Sequence, residues 1–391
     1  MTDLLSAELL ADIRERAADY DRDNAFFAED LADLQASGYL GAMVPTAFGG
    51  AGLTLQETAH EQARLAAHAP ATALAVNMHH VWVGVGRYLH ERGDSSLDWL
   101  LREAASGEVF GFGYSEPGND LVLLGSRTEA RPDGSGGYTF HGRKIFTSNS
   151  PAWTRLGVLG LEKSGGLRGR NGAPRLVHAF VTREGGGFTI LDDWDTLGMR
   201  ASQSRSTLLD GAHAPADRVL RLLPPGPSLD PYVLGIFTSF EVLLSSVYAG
   251  IADRALELAV ETVHRRTSMK TGKTYAQDPD VRRRIADMAL AQDSVWLQID
   301  GITRDLDASA ADPTLDRGAG WFRATAGLKV RVTEAARDVV DQAVRVSGGS
   351  TYFTGSELGR LYRDVLAGIF HPSSDDAAHG TVAQSLLGPL E

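Results

Sequence analysis

The chain has no cysteine, which excludes disulfides, thiolate nucleophiles and cysteine-ligated metals together. Basic residues are in the minority: 38 Lys and Arg stand against 50 Asp and Glu, a net charge of −12. Nucleic-acid binders neutralise phosphates with clustered cations, so that class is excluded. Apolar runs are short, and none reaches the ~18–20 residues that cross a bilayer; no membrane span is expected. The opening MTDLLSAELLADIRERAADYD mixes acids into an amphipathic pattern. It lacks the basic start and apolar centre of a secretion signal, which points to the cytoplasm. What remains for chemistry is His, Ser, Asp, Glu, Arg and a borrowed cofactor. The 391 residues, 43% hydrophobic and 23% charged, suffice for two or three packed units.

The texture changes twice along the chain, predicting an α+β multidomain protein. Residues 1–108 read as an N-terminal helical domain, with apolar residues three and four apart (Leu4, Leu9, Leu10, Ile13; Leu31, Leu34, Leu40). The turn-rich stretch Pro45–Leu53 interrupts this pattern, and Pro70 ends the alanine-rich run from Glu57 to Ala69. Residues 109–221 carry short β-prone runs (YTFHG, LGVLGL, LVHAFVT, GFTIL) between Gly, Asp, Asn and Pro, which predict antiparallel strands in a small barrel or sandwich. Lys163–Pro174 reads as a solvated hairpin connection. The proline-rich joint Leu222–Pro231 opens a C-terminal helical bundle, 222–391, with long helices expected at 232–267, 280–307 and 321–346. Asp375 and Asp376 read as caps of a last helix.

Ordered motifs punctuate these segments. They are Gly38 to Pro45 followed by Phe48 to Leu53, Tyr114-Ser115-Glu116-Pro117-Gly118, and Gly142-Arg143-Lys144-Ile145-Phe146-Thr147-Ser148-Asn149. Further on come Trp194 to Arg200, Pro215 to Val219, Arg265-Arg266-Thr267, Ser347-Gly348-Gly349 and Leu361-Tyr362-Arg363-Asp364. In this order they resemble the acyl-CoA dehydrogenase family over nearly the whole chain. That resemblance implies a helical domain, a β-barrel domain and a four-helix bundle around FAD. It places Ser148 at the flavin N5 edge with Thr147 beside it, Phe146 as an aromatic wall, and Phe112, Tyr114 and Ser115 along the pyrimidine edge. It places Arg265, with Thr267 close by, at the pyrophosphate of a neighbouring subunit's cofactor, where a planar guanidinium pairs two oxygens. Ser347, Gly348 and Gly349 fall at the adenosine half. A homo-oligomer, usually a tetramer, follows, as does an acyl thioester substrate on coenzyme A or a carrier protein, with an electron-transfer partner.

The chain also departs from that family. Dehydrogenation of a thioester needs a carboxylate near the substrate α-carbon. Most members carry a Glu eight residues after the Asp of the Arg-Asp motif; here Pro372 stands there. A minority carry it on the first bundle helix, where this chain has Phe240, with Glu241 one residue on and turned by about 100°. After Gly118 the usual loop is two residues short, running straight into Asn119-Asp120. A monooxygenase branch of the fold, which includes dibenzothiophene monooxygenase, accepts reduced flavin from a separate reductase and works through a flavin hydroperoxide. This chain resembles that branch at His79, His80, Ser150 and His371, and FMN then becomes an alternative cofactor. Three readings follow. The leading expectation is α,β-dehydrogenation of an acyl thioester with His371 or Glu241 as the base. The alternative is flavin-dependent oxygen insertion with His80, Ser150 and His371 around the oxygen. The third is a catalytically silent subunit of a hetero-oligomer.

Overall fold

A computed structural model of the chain describes residues 3–121, 123–163 and 173–388; most of the predicted hairpin connection at 163–174 lies outside them. Capping side chains decide where the helices begin. Ser6 accepts the Leu9 N–H at 3.2 Å ahead of α1 (Ala7–Asp23), and α2 (Ala28–Ala36) follows. Thr54 and Glu57 close a capping box on α3 (Leu55–Ala66). Pro70 starts a helix, α4 (Pro70–Glu91), because a proline in the first turn lacks only an N–H that would have no helical partner. α5 (Asp98–Ala105) completes this half.

The middle segment folds as β1 (Phe110–Gly113), β2 (Glu129–Pro132), β3 (Tyr138–Lys144), β4 (Arg155–Glu162), β5 (Arg175–Thr182), β6 (Phe188–Ile190), β7 (Thr207–Ala214) and β8 (Val219–Leu223). They make one sheet in the order β6-β7-β3-β2-β4-β5-β8, with β1 also on β4. The sheet is mixed, not purely antiparallel as the strand pattern suggested. β1 runs parallel to β4, Phe110 opposite Arg155, and β2 meets β4 in parallel at Glu129 and Leu161. β1 enters from a helix and reaches β4 only after β2 and β3, so no tight turn forces it antiparallel.

Five helices finish the described chain: α6 (Pro231–Arg265), α7 (Pro279–Ala311), α8 (Gly320–Ser347), α9 (Glu357–Val365) and α10 (Asp375–Leu387). Asp230 and Asp278 cap α6 and α7. Ser374, not Asp375 or Asp376, caps α10; the two acids lie in its first turn, where the helix dipole favours negative charge. α6 corrects a second expectation, being long and apolar enough to span a membrane by length and composition alone. Its interspersed Ser, Thr and Gly hid this from a search for apolar runs. Of the qualifying window, 89% is buried inside the protein, as the central helix of the bundle.

The helical halves share one core. Leu10, Leu34 and Leu65 pack into the same cluster as Tyr248, Ile251, Val332 and Val340. At Gly250 an added Cβ would lie 2.1 Å from the Ala63 carbonyl oxygen, so α3 and α6 meet backbone to backbone. A second cluster of Trp82, Phe110, Phe112, Tyr114, Phe180 and Tyr232 joins the helices to the sheet.

Candidate functional site

Past β3 the chain bends through two left-handed residues, Phe146 (φ 54°) and Asn149 (φ 60°). The bent segment pairs with 202–205: the N–H groups of Thr147, Asn149 and Ser150 each donate, at 3.3 Å, to the carbonyls of Arg205, Ser202 and Gln203. This juxtaposition sets Ser148, Ser204 and Ser202 in a chain of hydroxyls, each link 2.8 Å long. Thr147 is fully buried and its Oγ1 has no partner. Phe146 is 57% exposed and meets Trp194 edge-on. Ser150 is turned away, its hydroxyl donating to the Gln203 carbonyl at 2.6 Å.

The aromatic side chains of β1 face the protein interior. Phe112 and Tyr114 point into the interface with the helices, against Trp82 and each other. The Tyr114 hydroxyl is engaged by Tyr232 at 2.9 Å and by His178 Nδ1 at 3.1 Å, so it is not available to a cofactor as expected. Alternate residues of a strand share a face, and the run Phe-Gly-Phe-Gly-Tyr puts all three aromatics on the buried one. Ser115 contributes its carbonyl to the Ile145 N–H. The following Glu116 is a structural knot. It takes a buried salt bridge from Lys144 at 2.7 Å and N–H bonds from Arg127 and Thr128. Burial alone would push this carboxyl up, but the Lys144 charge and the N–H donors outweigh it and hold it at about 2.

The histidines separate. His79 Nδ1 accepts the Phe110 N–H and its Nε2 donates to the Leu40 carbonyl, so it ties α4 to its neighbours and has no free nitrogen. Burial keeps it neutral, with a value of about 4. His80 is sealed beside Tyr39, with neither ring nitrogen bonded. His371 lies on the turn between α9 and α10, its ring beside Tyr248; its Nε2 and the Tyr248 hydroxyl are both unpartnered.

That turn is held by two buried charges that sequence reasoning treated unevenly. Lys329 of α8, which it missed, donates to the carbonyls of Gly368 (2.8 Å), His371 (2.9 Å) and Ser373 (2.8 Å). Glu241 of α6 accepts from the Ser373 N–H (3.0 Å) and hydroxyl (2.8 Å), and its Oε2 has no partner. Burial raises the Glu241 carboxyl to about 7, opposed by Ser373 and the Lys329 charge. Burial lowers Lys329 to about 8. No local pattern distinguished Lys329, because a helical lysine is ordinarily solvated.

The Arg-Asp motif is a fastener. Asp364 accepts the Met199 N–H at 2.6 Å, while Arg363 donates to the Leu197 carbonyl and to both oxygens of Asp21 on α1. Gly198 fits against it, since a Cβ there would lie 2.4 Å from the Arg363 carbonyl oxygen. At the far end of the bundle Arg265 is exposed; it is Arg266 that grips the Ser347 carbonyl, below Gly348 in the left-handed region (φ 75°). Thr267 pairs with Thr274 in a bridge, Gly349 opens a short turn, and Tyr352 and Phe353 beyond it are 96% and 74% exposed.

These residues fit a flavin. An unpartnered buried hydroxyl at Thr147, a hydroxyl chain ending at Ser148 and the exposed ring of Phe146 offer polar contacts and an aromatic face to a flat heteroaromatic ring.

The sequence comparisons agree. Residues 4–106 match the acyl-CoA dehydrogenase N-terminal domain, and residues 242–375 match the acyl-CoA dehydrogenase C-terminal domain. The chain is 32% identical to L-evernosamine nitrososynthase of a Micromonospora species, over 95% of this chain and 85% of that protein. It is 32% identical to amino sugar nitrososynthase RubN8 of Streptomyces rubradiris, over 92% of this chain and 82% of that one. The solved structure of KijD3 with FMN and dTDP-3-amino-2,3,6-trideoxy-4-keto-3-methyl-D-glucose superposes with a TM-score of 0.86 at 30% identity, covering 100% of this chain and 93% of that one. The chain therefore belongs to the acyl-CoA dehydrogenase family, as a flavoprotein of that fold.

Proposed function

We propose that this chain is a flavin-dependent oxygenase that oxidises the amine nitrogen of a nucleotide-linked amino sugar, using reduced flavin supplied by a separate reductase. The observation that carries this reading is Pro372 at the position of the dehydrogenase base, in a turn where the carboxylate of Glu241 is sealed and bonded to Ser373. Without an accessible base, removal of a thioester α-proton has no acceptor. The similarity to amino sugar nitrososynthases over almost the full length, and to KijD3 solved with a dTDP-linked amino sugar, supports the same direction. When bound, reduced flavin supplies two electrons to dioxygen; one oxygen atom goes to the amine nitrogen and the other leaves as water. The residues proposed to orient the ring are Thr147 and Ser148, and the unpartnered His371 Nε2 and Tyr248 hydroxyl, buried side by side in the bundle, are the polar groups left over there. The flavin proposed is FMN or FAD; KijD3 was solved with FMN. The exposed Tyr352 and Phe353 beside Ser347–Gly349 support completion of the cofactor site by a second copy.

The test supplies FMN or FAD, a flavin reductase, NADH and air with a dTDP-amino sugar. A product heavier by one oxygen atom is expected. A second reading, acyl thioester dehydrogenation, is favoured by one feature: the unpartnered Oε2 of Glu241 could accept a proton. Bleaching of bound oxidised flavin by an acyl-CoA without oxygen, with no product from the amino sugar, would establish that reading and overturn the first.

A further inference from the structure

The bent segment that carries Thr147 and Ser148 belongs to no helix or strand, so it keeps one shape only where its backbone is tied to other elements. Three ties reach it from separate directions. The backbone of 147–150 pairs with 202–205, and the side-chain Nδ2 of Asn149 donates to the Ala75 carbonyl of α4 at 2.7 Å. The third tie is Arg183, the first residue past β5. Its Nε donates to the Trp153 carbonyl at 2.5 Å, and its Nη2 donates to the Ser150 carbonyl at 2.7 Å. Its guanidinium also lies over the ring of the fully buried Trp153, 4.3 Å from the centroid. The chain from Asn149 to Trp153 makes one tight turn, in which the Asn149 carbonyl takes the N–H groups of Ala152 and Trp153 at 2.8 Å each. One planar fork thus closes the far end of the turn that begins at the left-handed Asn149.

We infer that Arg183 is a positioning residue for the flavin, acting through the backbone by fixing the turn that follows Thr147 and Ser148. The inference rests on the flavin reading above and adds to it a residue outside the ordered motifs. The bland alternative is an arginine that only steadies the sheet. Against it, both acceptors of the Arg183 side chain belong to the turn and neither to a strand. Among the described residues the side chain makes no other hydrogen bond and no ion pair, so every directed bond of its fork serves the turn.

Without Arg183, a flavin must order the turn as it binds, at the cost of fixing about one residue's backbone, or roughly tenfold in affinity. Arg183→Met keeps an apolar stem against Trp153 and removes both donors. Its affinity for FMN, titrated in the oxidised and the dithionite-reduced form, should fall about tenfold, with circular dichroism melting to show that the protein is folded. Arg183→Lys puts a point charge where the fork was and should recover part of the loss. If the Met variant does not fold, the Lys variant carries the comparison, with an expected loss of about threefold. A second readout separates positioning from general loosening. In a double-mutant cycle with Ser148→Ala, a residue acting through this segment gives a combined loss smaller than the product of the two single losses. An independent effect on stability gives the full product. Unchanged FMN affinity in the folded variants, or a loss that multiplies fully with that of Ser148→Ala, overturns the role of Arg183 and leaves the flavin reading standing. Failure of the wild-type protein to bind either form of FMN or FAD would instead overturn the flavin reading, and this inference with it.

Discussion

At the scale of single residues, the bundle side of the site turns on a carboxyl held in the wrong environment for its charge. Glu241 is raised by burial from 4.5 to about 7. A carboxyl whose folded value exceeds its unfolded value binds its proton more tightly when folded. Its neutral form is thus stabilising below about pH 4.5, and that contribution is lost as the pH rises to about 7. Glu241→Gln keeps the bond from the Ser373 N–H and removes the titration. The wild-type melting temperature should therefore fall relative to Glu241→Gln between about pH 4.5 and 7 and run parallel above it. A constant difference across that range would mean the carboxyl is not perturbed. Under the amine-oxidation reading this variant keeps product formation; under the dehydrogenation reading it loses turnover.

At the scale of elements, two helix contacts depend on missing side chains. α3 and α6 approach so closely that a Cβ at Gly250 would sit 2.1 Å from a carbonyl oxygen, which cannot rotate aside. Gly250→Val must push the helices apart, at a cost of about 3 kcal/mol by the usual scale of overpacking. Chemical denaturation should report it as a lower midpoint, and an unchanged midpoint would show that the contact yields. A looser limit holds at Gly84, where α4 crosses α6 and the Ser239 side-chain Oγ would lie 2.9 Å from an added Cβ. The elements also explain where the motif side chains point. Tyr114 was expected along the pyrimidine edge of the flavin; its hydroxyl is held by Tyr232 and His178 and its ring leans on Trp82, a burial that the period-two run Phe-Gly-Phe-Gly-Tyr already carried. Ser150 was expected at the reacting oxygen, yet the left-handed Asn149 turns it into the backbone of Gln203.

At the scale of the whole molecule, one cluster fastens three regions distant in sequence. Arg363 on α9 holds Asp21 on α1 and the Leu197 carbonyl in the connection between β6 and β7, while Asp364 takes the Met199 N–H. The Arg363–Asp21 pair is partly buried, so the bonds are sheltered from full screening. Arg363→Ala should lower stability by about 1–3 kcal/mol, the range for hydrogen bonds to charged groups. Limited proteolysis should then cut faster near 191–200, the segment that Arg363 and Asp364 hold. Equal cleavage rates in the two proteins would show that the fastener contributes nothing to this segment. Its motif was legible as a family signature, but its physical task was not, because Asp21 lies 342 positions away.

The sequence by itself determined the order of helical, β and helical segments, through apolar spacing, proline placement and capping residues, all of which act within a turn or two. It also marked Thr147, Ser148 and the absent base at Pro372, since these are matters of residue identity. Tertiary structure alone decided which polar groups are buried together: Lys329 beneath the His371 turn, Glu241 against Ser373, and Ser204 behind Ser148. The physical reason is that burial and hydrogen-bond pairing are set by contacts across long sequence separations, and no local pattern records which partner will fill a given direction in space.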